Sequence, residues 1–152
     1  MVYPRTPNSE DSLAATLWVI DPVSFRRECL CMTLASRAHW RAIRELSAWS
    51  PPTHEQDRPS AVLMNVGAGL NRGIQPNGGS RMVAEIAAVA PVLLLCDSPE
   101  PAESIIAFAL GASGLFPASL GVSLLIASID MIARGGFFLS PSAARWLTHH
   151  TT

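Results

Sequence analysis

The run Val92-Leu-Leu-Leu-Cys96 is apolar at every position, so a strand built from it has no side to give to solvent. A strand buried on both faces belongs at the centre of a parallel sheet covered by helices. Three further short apolar runs, Thr16–Ile20, Ala61–Asn65 and Gly114–Phe116, are separated by segments of helical character. Strands and helices alternating at this rhythm predict about five βα units, an α/β domain built on a doubly wound five-stranded parallel sheet.

Local signals divide the rest of the chain. Pro4, Pro7, Asn8 and Ser9 punctuate a stretch without apolar periodicity. Residues 1–14 therefore read as a flexible tail, 15–142 as the domain, and 143–152 as a C-terminal tail or truncated linker helix. After the first strand, Phe25, Cys29 and Met32 fall on one helical stripe, with Leu30 and Leu34 beside it. His39–Ile43 reads as a second strand and Arg44–Trp49 as a stub of helix. Ser50-Pro51-Pro52 stops it, because proline removes a donor and restricts the residue before it. A glycine-rich loop through Gly67, Gly69, Gly73 and Gly78 follows the Ala61–Asn65 strand. Ser80 is placed to cap a helix running to Ala90, with Met82, Ile86 and Val89 on its inner face. Ser98, with Pro99 at the first helical position, opens another helix whose apolar face is Ala102, Ile105, Ile106, Ala109 and Leu110. A last long helix, Leu120–Arg134, offers Leu125, Ile129 and Ile132 to the sheet and leaves Leu124 and Met131 off that stripe.

Composition narrows the possible partners. Apolar residues make up 49% of the 152, enough to bury a core within one domain. A formal charge of −1 supplies no field for nucleic acid or an anionic bilayer, so neither direct nucleic-acid binding nor membrane attachment is expected. The longest apolar run, Ala87–Cys96, is broken by Pro91 and too short to span a bilayer. The N-terminus has no signal-peptide core, which predicts a cytoplasmic location. All eleven basic residues are arginines, so chemistry that needs an ammonium group is closed to this chain. Cys29, Cys31 and Cys96 are odd in number and set among apolar residues, and read as buried small hydrophobes rather than a disulfide or zinc set.

In an open parallel sheet, ligands and chemistry gather at the carboxyl ends of the strands. Asp21-Pro22, Asn65, Cys96-Asp97 and Pro117-Ala118 fall there. The run Trp18-Val-Ile-Asp-Pro-Val-Ser-Phe-Arg-Arg-Glu-Cys-Leu30 resembles the opening of a response-regulator receiver domain of the LuxR/NarL type. The segment Pro91–Pro141 is similar to the second half of the same family, most tellingly in Gly111-Ala-Ser-Gly-Leu-Phe-Pro117 and Ala133-Arg-Gly-Gly-Phe-Phe-Leu-Ser-Pro141. The resemblance covers roughly residues 16–142 and is weakest between 36 and 60. It implies a flavodoxin/CheY-like fold and a role in two-component phosphorelay signalling. In that chemistry an aspartate takes a phosphoryl group from a histidine kinase. Two acids hold Mg²⁺, while a Ser/Thr hydroxyl and a lysine contact the phosphoryl oxygens.

Matched position by position, Asp21 keeps the first acid and Pro22 stands where the second is expected. Asn65 takes the place of the phospho-acceptor, and an amide cannot form an acyl phosphate. Cys96 replaces the hydroxyl and Ala118 the lysine. Four of these five positions are altered toward loss of function, so the resemblance implies a degenerate pseudo-receiver that binds no metal, needs no cofactor and is not an enzyme.

Plainer roles compete for the same residues. Asp21 is read as capping the first helix or pairing with a nearby arginine, rather than as a metal ligand. Cys96 is read as a buried strand-end residue, since His39, His54, His149 and His150 fall where none has an evident route to it. The glycines after Val66 hint at a phosphate cradle, but nothing helical starts until about Ser80, so a flexible loop is expected. The helix start at Gly78-Gly79-Ser80 remains a modest anion candidate. Trp40, Trp49 and Trp146 read as core or docking residues, with Trp146 nearest the surface. The expected function is binding a protein partner, as a homodimer or with another signalling protein. Leu124, Met131 and Trp146 would form the interaction surface, and the first and last helices of the domain a shared patch. Two alternatives stand beside it. One is the receiver portion of a DNA-binding transcriptional regulator whose helix-turn-helix lies outside this chain. The other is a small-ligand-binding domain on the same sheet.

Overall fold

The computed structural model of the protein describes residues 16–37, 40–70 and 79–150. The segment 1–14 read as a tail, His39, and the loop centre with Gly73 and Gly78 lie outside the described residues. The elements are β1 (Thr16–Ile20), α1 (Ser24–Arg37), β2 (Ala42–Leu46), β3 (Ala61–Gly67), α2 (Gly79–Ala87), β4 (Val92–Cys96), α3 (Glu103–Ala109), β5 (Gly114–Pro117), α4 (Val122–Ala133) and α5 (Pro141–His150). All strand pairs are parallel and the sheet order is β2-β1-β3-β4-β5. This is the doubly wound α/β sheet that the alternation predicts.

Side-chain alternation along the strands makes two cores, one on each face of the sheet. Trp18, Ile20, Val62, Met64, Leu94 and Leu115 meet Val83 and Ile86 of α2 and Ala107 of α3 on one face. Leu17, Val19, Leu63, Leu93 and Phe116 meet Leu34 of α1 and Leu125, Ile129 and Ile132 of α4 on the other. Every residue of β4 is buried, as the unbroken apolar run requires.

The structure departs from the sequence reading at three elements. The second strand is Ala42–Leu46, so residues read as a helical stub are extended and pair with β1 along the sheet edge. Its outward Arg44 lies over the Trp18 ring, 4.7 Å from the centroid. In α1 the sheet-facing residues are Cys31 and Leu34, while Phe25 and Met32 are 79% and 73% exposed and Cys29 is exposed as well. The third departure is α3. It begins at Glu103 rather than beside Ser98, and it buries Glu103, Ser104 and Ala107 while Ile105 and Ile106 face outward.

The physical reason for the last departure is a hydrogen-bonded carboxylate. Glu103 accepts from the backbone N–H of Leu70 at 2.7 Å and of Glu100 at 2.9 Å, and this sets the rotation of the helix. The last segment, read as a tail or a linker helix, is helical as α5. Ser140 Oγ accepts from Ala143 N at 3.2 Å, and Ala143 is buried.

Candidate functional site

The carboxyl ends of β1 and β3 lie side by side because these strands pair directly, with Ile20 opposite Met64. Asp21 and Asn65, one residue further along each strand, therefore meet. Asp21 is fully buried, and its own N–H donates to Leu46 O of β2 at 3.0 Å. A buried carboxylate must have its lone pairs filled, and here four donors do so. Val23 N donates to Oδ1 at 2.9 Å. Arg26 gives a bidentate pair, Nε to Oδ2 at 2.6 Å and Nη2 to Oδ1 at 2.7 Å. Asn65 Nδ2 donates to Oδ2 at 3.1 Å. Asp21 thus bonds the backbone just ahead of α1 and pairs with an arginine of that helix.

The orientation of the Asn65 amide follows from its neighbours. An ionised carboxylate only accepts, so the NH₂ end must face Asp21. Oδ1 then accepts from Gly67 N at 2.8 Å. Gly67 has φ of 67°, where the strand register shifts between Asn65 and Gly67, and its carbonyl accepts from Asp97 N at 2.7 Å. The left-handed backbone favours glycine here. Hydrogen bonding to Asp21, and the charges of Asp21 and Asp97, raise the Arg26 pKa despite partial burial, so this guanidinium stays charged.

The remaining sequence-matched positions contribute nothing reactive. Pro22 is exposed and carries no donor or ligand atom in its side chain. Cys96 ends β4 fully buried, and burial pushes its thiol up to about 11, so it stays protonated at neutral pH. Its strand partner is Pro117, after which Ala118 opens a short 3₁₀ turn over Ala118–Leu120. A cleft of about 340 Å³ lies beyond β4 and β5, between Ser98, Ser119 and the start of α5 at Ser140.

Receiver chemistry implies a divalent cation held by hard oxygen ligands. The residues present do not fit one. Pro22 offers no carboxylate, and the oxygens of Asp21 and Asn65 already accept from protein donors. Among the described residues no group of three or more His, Cys, Asp or Glu side chains is placed to hold a metal ion.

Of the residues read as an interaction surface, Leu124 and Met131 are 43% and 40% exposed on α4. Trp146 is half-buried and stacks on His150 with ring centroids 4.3 Å apart. The sequence predicts an arginine partner for Asp21 without singling out Arg26, and places Glu103 near a helix start without its bond to Leu70 N. Arg26 had a signal: α1 carries Arg26 and Arg27 in its first turn and no acid there, which opposes the helix dipole unless a partner accounts for it. Arg27 Nη1 donates to Asp21 O at 2.8 Å, and its Nε lies 3.5 Å from Glu45.

No protein-family model matches the sequence, and comparison with curated proteins finds no match. Solved structures do match. A LuxR-family two-component response regulator from Aurantimonas sp. SI85-9A1 superposes with a TM-score of 0.70 at 20% identity, over 91% of this chain and 98% of that one. The response regulator ChrA of a heme-sensing two-component system gives 0.65 at 21% identity, over 91% of this chain and 67% of that one. RcsB, solved as two dimers bound to two parallel DNAs, gives 0.64 at 11% identity, over 88% and 68%. The chain has the fold of response-regulator receiver domains, with the carboxyl ends of β1 and β3 joined by an arginine–carboxylate–amide network.

Proposed function

We propose that this receiver-fold chain accepts no phosphoryl group and works by binding another protein. The observation that carries the reading is the Asp21–Arg26–Asn65 network, which fills both oxygens of the Asp21 carboxylate with protein donors and sets an amide beside it. On this reading the chain catalyses no reaction, needs no cofactor, acts in the cytoplasm, and contacts neither DNA nor membrane directly. No helix among the described residues is long and apolar enough to cross a membrane.

Binding falls to the outer face of α1 and α4. Both helices pack on the same face of the sheet. Phe25, Cys29 and Met32 repeat at i, i+4 and i+7 along α1 on the side away from the core, and Leu124 and Met131 add apolar surface on α4. A second copy of the chain is the favoured partner, since a helix face of this kind can pair with itself about a two-fold axis. Light scattering tests this. The wild type should have the mass of a dimer at tens of micromolar, and Phe25→Asp should be a folded monomer. A wild type that is a strict monomer would contradict it.

A second reading draws on the likeness to ChrA and RcsB, of which this chain spans about two thirds. It makes the chain the receiver part of a DNA-binding regulator. An in-frame helix-turn-helix after Thr152 in the gene would favour it over the first.

A further inference from the structure

We infer that Arg26 is the resident cation of this pocket, a tethered guanidinium standing where a receiver would hold its divalent ion, and that it keeps such ions out. This rests on the reading of the chain as a receiver fold without phospho-acceptance, and it adds the reason the pocket is shut.

Three observations carry it. The first is geometric: Asp21 is fully buried, yet its carboxylate is bound bidentately by Arg26 at 2.6 and 2.7 Å, while Val23 N and Asn65 Nδ2 complete the shell. The acid has no free lone pair directed at a solvent ion. The second is positional. A cation in the first turn of a helix sits against the positive end of the dipole, and α1 has two arginines and no acid there. Helix preference therefore does not explain Arg26, whereas the buried acid beside it does. The third is the amide at Asn65. Arg26 brings one positive charge where a divalent ion brings two; the one carboxylate hydrogen-bonded to it, Asp21, has an amide beside it rather than a second acid, and Asp97 adds its charge to Arg26 without a hydrogen bond. The charges of the hydrogen-bonded pair match.

Tethering also sets occupancy. A cation carried on α1 is always at hand, whereas an ion must be recruited from solution, so the pocket does not follow the supply of Mg²⁺. The same contacts fix the start of α1, because Val23 N and the side chains of Arg26 and Arg27 all bond to Asp21. Phe25 lies within that turn and is exposed.

The test titrates Mn²⁺ and follows free ion by its paramagnetic resonance, with native tryptophan fluorescence as a check on folding. Four proteins are compared: wild type, Pro22→Asp, Arg26→Gln, and the double variant Pro22→Asp/Arg26→Gln. Wild type and Pro22→Asp should take up no Mn²⁺ in the millimolar range, because Arg26 remains in place. The double variant should bind one ion per chain, and more tightly than Arg26→Gln alone, because it presents a second carboxylate. Uptake by Pro22→Asp equal to that of the double variant would overturn the inference, as would a folded double variant that takes up none. Should Arg26→Gln variants not fold, refolding from urea supplies the readout. Recovery of native fluorescence with Mn²⁺ but not with NaCl of equal ionic strength supports the role of Arg26, and no recovery with either overturns it. A wild type that ignores Mn²⁺ but takes a phosphoryl group would sink the broader reading and leave this inference standing. A wild type that binds Mn²⁺ and takes none would do the reverse.

Discussion

Asn65 is where a single oxygen-for-nitrogen exchange decides what the pocket can hold. Its Nδ2 donates to Asp21 Oδ2 at 3.1 Å. A carboxylate there would set two acceptors against each other in a buried site that Arg26 can neutralise only once. Asn65→Asp should destabilise the fold by on the order of 2 kcal/mol at neutral pH, read from urea melts. The sign with pH follows from linkage. Like charge and burial raise the folded pKa of the introduced group, so the penalty is absent below the unfolded value of about pH 4, grows as pH rises from there to the folded value, and is complete above it. Urea midpoints of variant and wild type that differ equally at both ends of that range would contradict the network. The sequence discloses the amide at this position. It does not disclose Arg26 as the partner, because adjacent Arg26 and Arg27 are equivalent until the helix rotation is known. The rotation sends Arg26 to the Asp21 carboxylate and Arg27 to the Asp21 carbonyl and Glu45.

Helices α1 and α3 were the elements least legible in the sequence, and for the same reason: each carries an apolar stripe that does not face the core. In α1 the choice lay between Phe25/Cys29/Met32 and the set containing Arg27, Cys31 and Leu34. The second set faces inward because the arginine stem can lie along apolar surface while its head reaches polar partners. In α3 the acid outweighs the isoleucines, because Glu103 satisfies two backbone N–H groups that would otherwise be left without partners. Glu103→Ala should therefore cost roughly 2–3 kcal/mol and speed hydrogen exchange at the Leu70 and Glu100 amides. An unchanged exchange rate at both would show that the carboxylate does not set this element. The strands were more transparent, since β1, β3, β4 and β5 are short apolar runs with clear ends. The exception is β2, an edge strand with exposed Ala42, Arg44 and Glu45 and only β1 to pair with, so its pattern resembles a surface helix.

For the whole molecule, the parallel sheet and its two cores follow from the alternation of apolar runs with helices, and the site follows from the rule that parallel strands gather chemistry at their carboxyl ends. The segment read as a tail or linker helix from residue 143 is the part that gained definition, because Ser140 caps α5 and Ala143 anchors it. We propose that this assembled sheet end accepts no phosphoryl group. The direct measurement is the intact mass of the full chain after incubation with acetyl phosphate and Mg²⁺, kept at low temperature and near-neutral pH so that an acyl phosphate would survive. The account predicts no added phosphoryl group, with Asn65→Asp/Pro22→Asp/Arg26→Gln as the comparison in which the acidic groups are restored. A phosphoryl adduct on the wild-type chain, mapped to Asp21 or to any residue beside Asn65, would contradict it.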